Sequence, residues 1–380
     1  MAALPTSSGS KAKRLSCHSM QLRSHRFRAG EAAVVPLLLR VLAGNPATSA
    51  AALTCLNTVD ASRLRQLHPA VAGIVVSVPW CDIDTIVVDA VQWRSVFPAA
   101  VGARVRHRQV GGRLSPPALA ALAGITHLDL RDCWGFKDEL LLNLPPSLRV
   151  LNVSNCCALT DLASFVHLAA LTTLDCREMR VVSLGAAGLP ASLLELDIGS
   201  LPAGASLAHL ARLRVLRASC LDAATLASLP PSLLELHCSG HTRGAQFAHL
   251  PALQTLDVSN TYILDDASLA SMPPSLVSLI AGACGNLTTA AVLPPLPSLR
   301  LLDVSGTGVG DALVASLPAG LTELRLIGCW GGTESAILNR VRAIQLLGSM
   351  DTDLAPGLAA CRTLGRWQGA ATAFVRWRCW

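Results

Sequence analysis

Residues 148 to 161 read LRVLNVSNCCALTD, and the fold turns on what Cys156 and Cys157 do beside so regular a set of apolar positions. Adjacent cysteines can hold a metal, form a redox couple or pack in a core. The register of Leu148, Leu151 and Val153 decides, because they belong to an LxxLxL phrase that recurs ten times. Its first positions are Ile125, Leu148, Leu171, Leu193, Leu213, Leu233, Leu253, Leu276, Leu299 and Leu321, separated by 23, 23, 22, 20, 20, 20, 23, 23 and 22 residues. A period of this size marks stacked coils, each of which buries its apolar side only against its neighbours. Positions four and six of the phrase leave a strand on the same side. Ten coils stacked at about 4.8 Å predict one continuous core and a parallel sheet about 45 Å long.

The cysteines follow from this register. Position nine of successive coils holds Cys133, Cys156, Met179, Leu201, Leu221, His241, Thr261, Cys284, Thr307 and Cys329. A column that accepts cysteine, methionine, leucine and threonine alike is a semi-buried turn position, not a nucleophile or a metal ligand, so Cys156 is assigned to the core. Cys157 falls on the turn surface with no partner assigned. Five coils are preceded by a proline phrase: LPPSL at 144 to 148 and 229 to 233, LPASL at 189 to 193, MPPSL at 272 to 276 and LPAGL at 317 to 321. Proline has no N–H to give a ladder, so the phrase marks where a strand begins.

The repeat resembles the leucine-rich repeat family. CCALTD at 156 to 161 is similar to the cysteine-containing subtype of F-box/LRR proteins, with CWGFKD at 133 to 138 and Leu264-Asp265-Asp266 as degraded forms. The resemblance implies an α/β solenoid: a leucine-rich repeat horseshoe of about ten coils with a helical N-terminal cap or F-box-like region and a C-terminal capping helix. Cys133 and Cys156 lie on successive coils, but parallel side-chain vectors and a reducing compartment argue against a disulfide.

Four segments are expected: a basic tail at 1–30, a helical cap or F-box-like region at 31–100, the solenoid at 101–332, and a capping helix with tail at 333–380. In the second, VPLLLRVL (35 to 42), DASRLRQLHPAV (60 to 71) and DIDTIVVDAVQWRSVF (82 to 97) are read as helices. In the last of these, Ile83, Ile86, Val87, Ala90 and Val91 follow helical spacing. ARVRHRQV (103 to 110) is read as an extra capping strand. The order of these elements resembles an F-box, which implies a Skp-type adaptor docked by Pro36, Leu37, Leu38 and Leu64. The bland alternative is a cap over the first coil's apolar edge. TESAILNRVRAIQLLG (333 to 348), with a threonine start and a terminal glycine, predicts a helix that seals the last coil. Beyond it, Trp367, Trp377 and Trp380 mark either a docking segment or a weakly ordered end.

Composition removes several function classes. Hydrophobic residues are 51% and charged ones 15%, which fits a chain with a large core. The formal charge of +6 is matched by Lys11, Lys13, Arg14, Arg23, Arg26 and Arg28, so the remaining residues balance and no basic groove for nucleic acid is expected. No apolar run is long enough to predict a membrane span. Thirteen cysteines without a CxxC pair or a recognisable signal peptide predict reduced thiols and an intracellular, cytoplasmic protein. GTGVG at 306 to 310 lacks the Lys-Ser or Lys-Thr of a phosphate loop. No catalytic residue, metal ligand or cofactor is predicted.

Function is therefore expected on the strand residues that point away from the core, the concave face of a solenoid. Position five reads Asp129, Asn152, Asp175, Asp197, Arg217, His237, Asp257, Ile280, Asp303 and Arg325, and position seven contributes Arg131 and Arg177 among mostly small residues. Asp129, Arg131, Asp175, Arg177, Asp197, Arg217, His237, Asp257, Asp303 and Arg325 are the candidate protein-binding residues. The competing reading makes the aspartates family filler that satisfies strand edges and turns. The expected function is a non-enzymatic protein-binding scaffold, which the F-box resemblance narrows to a substrate receptor of a cullin-type (SCF) ubiquitin ligase. The alternative is an effector-like or surface-exposed repeat protein that binds an extracellular or host ligand.

Overall fold

The computed structural model describes residues 53, 56–105, 115–160, 164–178, 188–239 and 245–329. The helix expected at 35 to 42, residues 106–110 of the expected capping strand, Met179, His241, and the expected helix and tryptophan tail at 333 to 380 lie outside the described residues. The chain divides into two compact units, with the boundary between Arg104 and Val105.

In the first unit, two helices, α1 (Thr58–Arg65) and α2 (Pro69–Ser77), precede β1 (Cys81–Val87), α3 (Ala90–Val96) and β2 (Gly102–Val105). The single helix expected over 60 to 71 is two. Proline tolerates only the first turn of a helix, and Pro69 begins α2 with His68 Nδ1 accepting the Ala70 N–H at 3.1 Å. The helix expected over 82 to 97 is also corrected. Its first half is β1, rich in β-branched Ile83, Thr85, Ile86 and Val87. Ile83, Ile86 and Val91 are exposed, whereas Asp82, Val87 and Ala90 are buried.

Asp82 explains the difference. Its carboxylate accepts the Thr58 N–H at 2.7 Å and the Thr58 hydroxyl at 2.8 Å, and also the N–H groups of Asp84 and Thr85 at 3.1 and 2.9 Å. It thus satisfies an otherwise orphaned donor at the start of α1 and holds β1 extended. Burial by itself would raise the Asp82 pKa, and the bonds from Thr58 and Thr85 outweigh it, leaving the carboxyl below its ordinary value. The core of this unit gathers Leu53, Ala61, Val71, Val75, Trp80 and Phe97, with Trp80 edge-on to Phe97 at 6.1 Å.

The second unit is a leucine-rich repeat solenoid. After α4 (Pro116–Ala121) come ten strands: β3 (His127–Asp129), β4 (Val150–Asn152), β5 (Thr173–Cys176), β6 (Glu195–Ser200), β7 (Val215–Cys220), β8 (Glu235–Cys238), β9 (Thr255–Asp257), β10 (Ser278–Ile280), β11 (Leu301–Asp303) and β12 (Glu323–Arg325). They lie side by side in chain order, all parallel. The register carries position four onto position four throughout, from Leu128 to Leu151 and on to Leu324. Every position-one residue is at most 2% exposed and every position-four leucine at most 7%. Burying each leucine contributes about 1.5–3 kcal/mol relative to leaving it in water.

The return segments alternate. Helical turns α5 (Asp138–Leu141), α6 (Ala223–Ala227), α7 (Asp266–Ala270) and α8 (Asp311–Ala315) serve coils one, five, seven and nine, and the proline phrase follows each. In that phrase the serine ties one coil to the preceding one. Ser147, Ser192, Ser232 and Ser275 donate to the carbonyls of Ile125, Leu171, Leu213 and Leu253 at 2.6–2.9 Å. At the helix ends Ser228, Ser271 and Ser316 accept the N–H groups of Leu207, Phe247 and Leu293, each on the coil before.

Position nine behaves as its composition suggests. Cys133, Cys156 and Cys284 are fully buried free thiols. Cys156 and Cys284 donate to the position-six carbonyls of Leu130 and Val258, both at 3.2 Å. Burial pushes the Cys156 thiol far above its usual range. Cys157, for which the sequence offered no partner, is half-buried with Sγ 3.4 Å from Asn155 Oδ1.

Coil length divides the solenoid. In the 22- and 23-residue coils and in the last coil position eight takes left-handed backbone angles: Asp132, Asn155, Glu178, Asn260, Ala283, Gly306 and Gly328 have φ between 55° and 70°. That turn ends the strand. In the 20-residue coils that begin at Leu193 and Leu213, the strand runs on through position eight, where Ser200 pairs with Cys220.

Candidate functional site: the exposed face of the sheet

Positions three, five and seven of each strand face away from the core, and the pairing register lines them up. Position five forms one row from Asp129 through Asn152, Asp175, Asp197, Arg217, His237, Asp257, Ile280 and Asp303 to Arg325. The sheet therefore brings the ten candidate residues onto one surface. What they do there depends on the coil.

In five of the flanking coils the position-five side chain is used by its own backbone. Asp129, Asn152, Asp175, Asp257 and Asp303 each accept the N–H of the residue two further on, at 2.9–3.2 Å. This closes the turn that the left-handed residue completes. Arginines then cover the carboxylates. Arg131 meets Asp129 at 2.7 Å, Arg177 meets Asp175 at 2.9 Å and Asp197 at 3.2 Å, and Arg325 meets Asp303 at 3.2 Å. Asp129 is only 3% exposed, so much of its surface is spent inside the protein. In these coils the aspartates take the turn-closing role.

The middle coils differ. Asp197, Arg217 and His237 lie on β6, β7 and β8, whose strands continue past position five. Arg217 reaches Glu235 only at 3.8 Å, with the two side chains 44% and 43% exposed. His237 Nδ1 stands 3.6 Å from Asp257. Burial raises the Asp197 pKa, Arg177 pulls it down, and neighbouring Asp175 raises it again, leaving the net above the ordinary value. Position seven beside them is small: Gly199, Ser219 and Ser239.

The sequence reading omitted position three, although strand alternation places it on the same face. Glu195, Glu235 and Glu323 stand there, and Arg325 Nε donates to Glu323 at 2.9 Å. His237 has the carboxylate neighbour that a general base requires, but no serine, threonine or cysteine side chain bonds to it among the described residues. No group of three His, Cys, Asp or Glu residues among the described residues is placed to hold a metal ion. No described helix is long and apolar enough to cross a membrane. Leu64, a candidate adaptor contact, packs against the core of the first unit, and Pro36, Leu37 and Leu38 lie outside the described residues.

No family model and no curated protein matches the chain. Among solved structures it is similar to TLR13 in complex with ssRNA13, with 20% identity over 59% of this chain and 35% of that one and a TM-score of 0.47. It is also similar to an internalin, inlF, from Listeria monocytogenes, with 17% identity over 66% of this chain and 73% of that one and a TM-score of 0.47. YopM from Yersinia enterocolitica gives 21% identity over 62% of this chain and 52% of that one, with a TM-score of 0.41. The chain spans about a third of the TLR13 chain and about half of the YopM chain.

Proposed function

We propose that this chain is a non-enzymatic scaffold that docks a protein partner on the exposed face of its sheet, centred on β6, β7 and β8. The observation that carries the reading is the change of duty at position five. Flanking aspartates close turns, and Asp129, Asp175 and Asp303 are covered by arginines at short range, whereas Arg217 and His237 are held only by loose pairs. Polar side chains that the fold does not consume are the ones a partner can engage, and their small neighbours at position seven let its backbone approach.

A photo-activatable cross-linking residue at Ser219, in the middle of this face, tests the reading. Protein adducts are expected there and not with the same residue at Glu139, on the return side of coil one. Equal labelling at both places, or none at Ser219, would overturn it. The finer reading, a substrate receptor of a cullin-type ubiquitin ligase, requires a Skp-type adaptor on Pro36, Leu37, Leu38 and Leu64. Co-purification of the adaptor with the full chain, lost in Leu37→Asp, is its test. The effector-like alternative shares the same docking face and differs in the source of the partner.

A further inference from the structure

Position three of coils four to six reads Glu195, Val215, Glu235, and these residues are neighbours in the pairing register. With strands about 4.8 Å apart, the two glutamate backbones stand roughly 10 Å apart with Val215 between them. Glu195 is exposed and makes no ion pair among the described residues. Glu235 has only the 3.8 Å contact with Arg217. One row further on, Asp197 shares Arg177 with Asp175, and Asp257 faces His237. Across β6 to β9 this face presents Glu195, Asp197, Glu235 and Asp257 against one guanidinium of its own, Arg217, so its charge runs opposite to the +6 of the whole chain.

We infer that the partner is an extended protein segment whose arginine or lysine side chain lies over Val215 with its charge between Glu195 and Glu235. The inference rests on the docking reading above and adds the partner's chemistry. Long cationic side chains cover apolar surface with their methylene stems and keep the charged head at a carboxylate, which is what a valine flanked by two glutamates offers. Gly199 and Ser219 at position seven leave room for the segment's backbone beside the seated side chain.

The test titrates the full chain into a fluorescently labelled twelve-residue peptide of alternating arginine and serine, with a glutamine–serine peptide as the neutral counterpart, and reads anisotropy. The arginine peptide is expected to bind and the glutamine peptide not to. Glu195→Lys and Glu235→Lys should each weaken binding about tenfold, and Glu139→Lys, which changes net charge equally on the return side, should leave it unchanged. Equal affinity in all three variants, or equal binding of both peptides, overturns the inference. Cross-linking at Ser219 separates the two readings. Adducts that persist in the Glu195→Lys, Glu235→Lys double variant leave the docking face standing and reject the cationic partner.

Discussion

The flanking and middle coils of this solenoid share a core and differ at their surface. Coils one to three and seven to ten take a left-handed residue at position eight, and in coils one, two, three, seven and nine the position-five side chain is drawn in to close that turn. In the 20-residue coils that begin at Leu193 and Leu213 the strand runs on through that position, and Asp197, Arg217 and the neighbouring His237 close no such turn. A repeat protein can thus set aside a binding surface by shortening its unit, without altering the columns that hold it together.

If the core is common to both classes, removing a position-four leucine should cost the same in either. Leu151→Ala and Leu216→Ala are each expected to lose about 3 kcal/mol in urea unfolding. A much smaller loss for Leu216→Ala would mean that the middle coils are looser and would break the comparison.

The turn itself is tested by a β-branched substitution. Asn260 has φ 59°, where valine is strained, so Asn260→Val should cost about 1–2 kcal/mol. Ser200→Val, at the equivalent position of an extended strand, should change stability by less than about 0.5 kcal/mol. The same urea titration reads both.

The smallest effects come from position five. Asp257→Ala removes the acceptor of the Ser259 N–H and hydroxyl and should cost about 1 kcal/mol. Asp197→Asn should cost little, and it carries a pH signature. The folded-state pKa of Asp197 is raised, so folding favours its protonated form. Its effect is most favourable below the ordinary carboxylate value and is lost as pH rises through the raised one. Asn at 197 should therefore reduce the loss of stability over that window, while Asp82, whose pKa is lowered, contributes stability that disappears as pH falls. Thermal melts between pH 3 and 7 distinguish the two directions, and an unchanged Asp197→Asn profile would contradict the first.

Much of this was legible along the chain. The ten first positions, the buried fourth column, the proline phrase at strand starts and the packing of Cys156 all follow from spacing, because every coil repeats one local pattern. Position three was legible too, since strict alternation places Glu195 and Glu235 on the face. The β1 stretch was not. Its apolar spacing suits a helix, and what favours the extended form, pairing with β2 and the Asp82 bonds to Thr58 24 residues away, comes from distant parts of the chain.

The sequence by itself determined the solenoid, because a 20- to 23-residue period with invariant apolar positions leaves each coil no way to leave water except by stacking on its neighbours. Only the tertiary structure decided which polar residues are consumed and which are offered. Asp129 and Asp197 occupy the same position of the same repeat, yet one closes a turn under Arg131 and the other is shared with the arginine of the preceding coil. That distinction rests on backbone angles at position eight and on contacts between coils. A one-dimensional pattern records these as a difference of two or three residues in length, and the folded chain turns that difference into a surface.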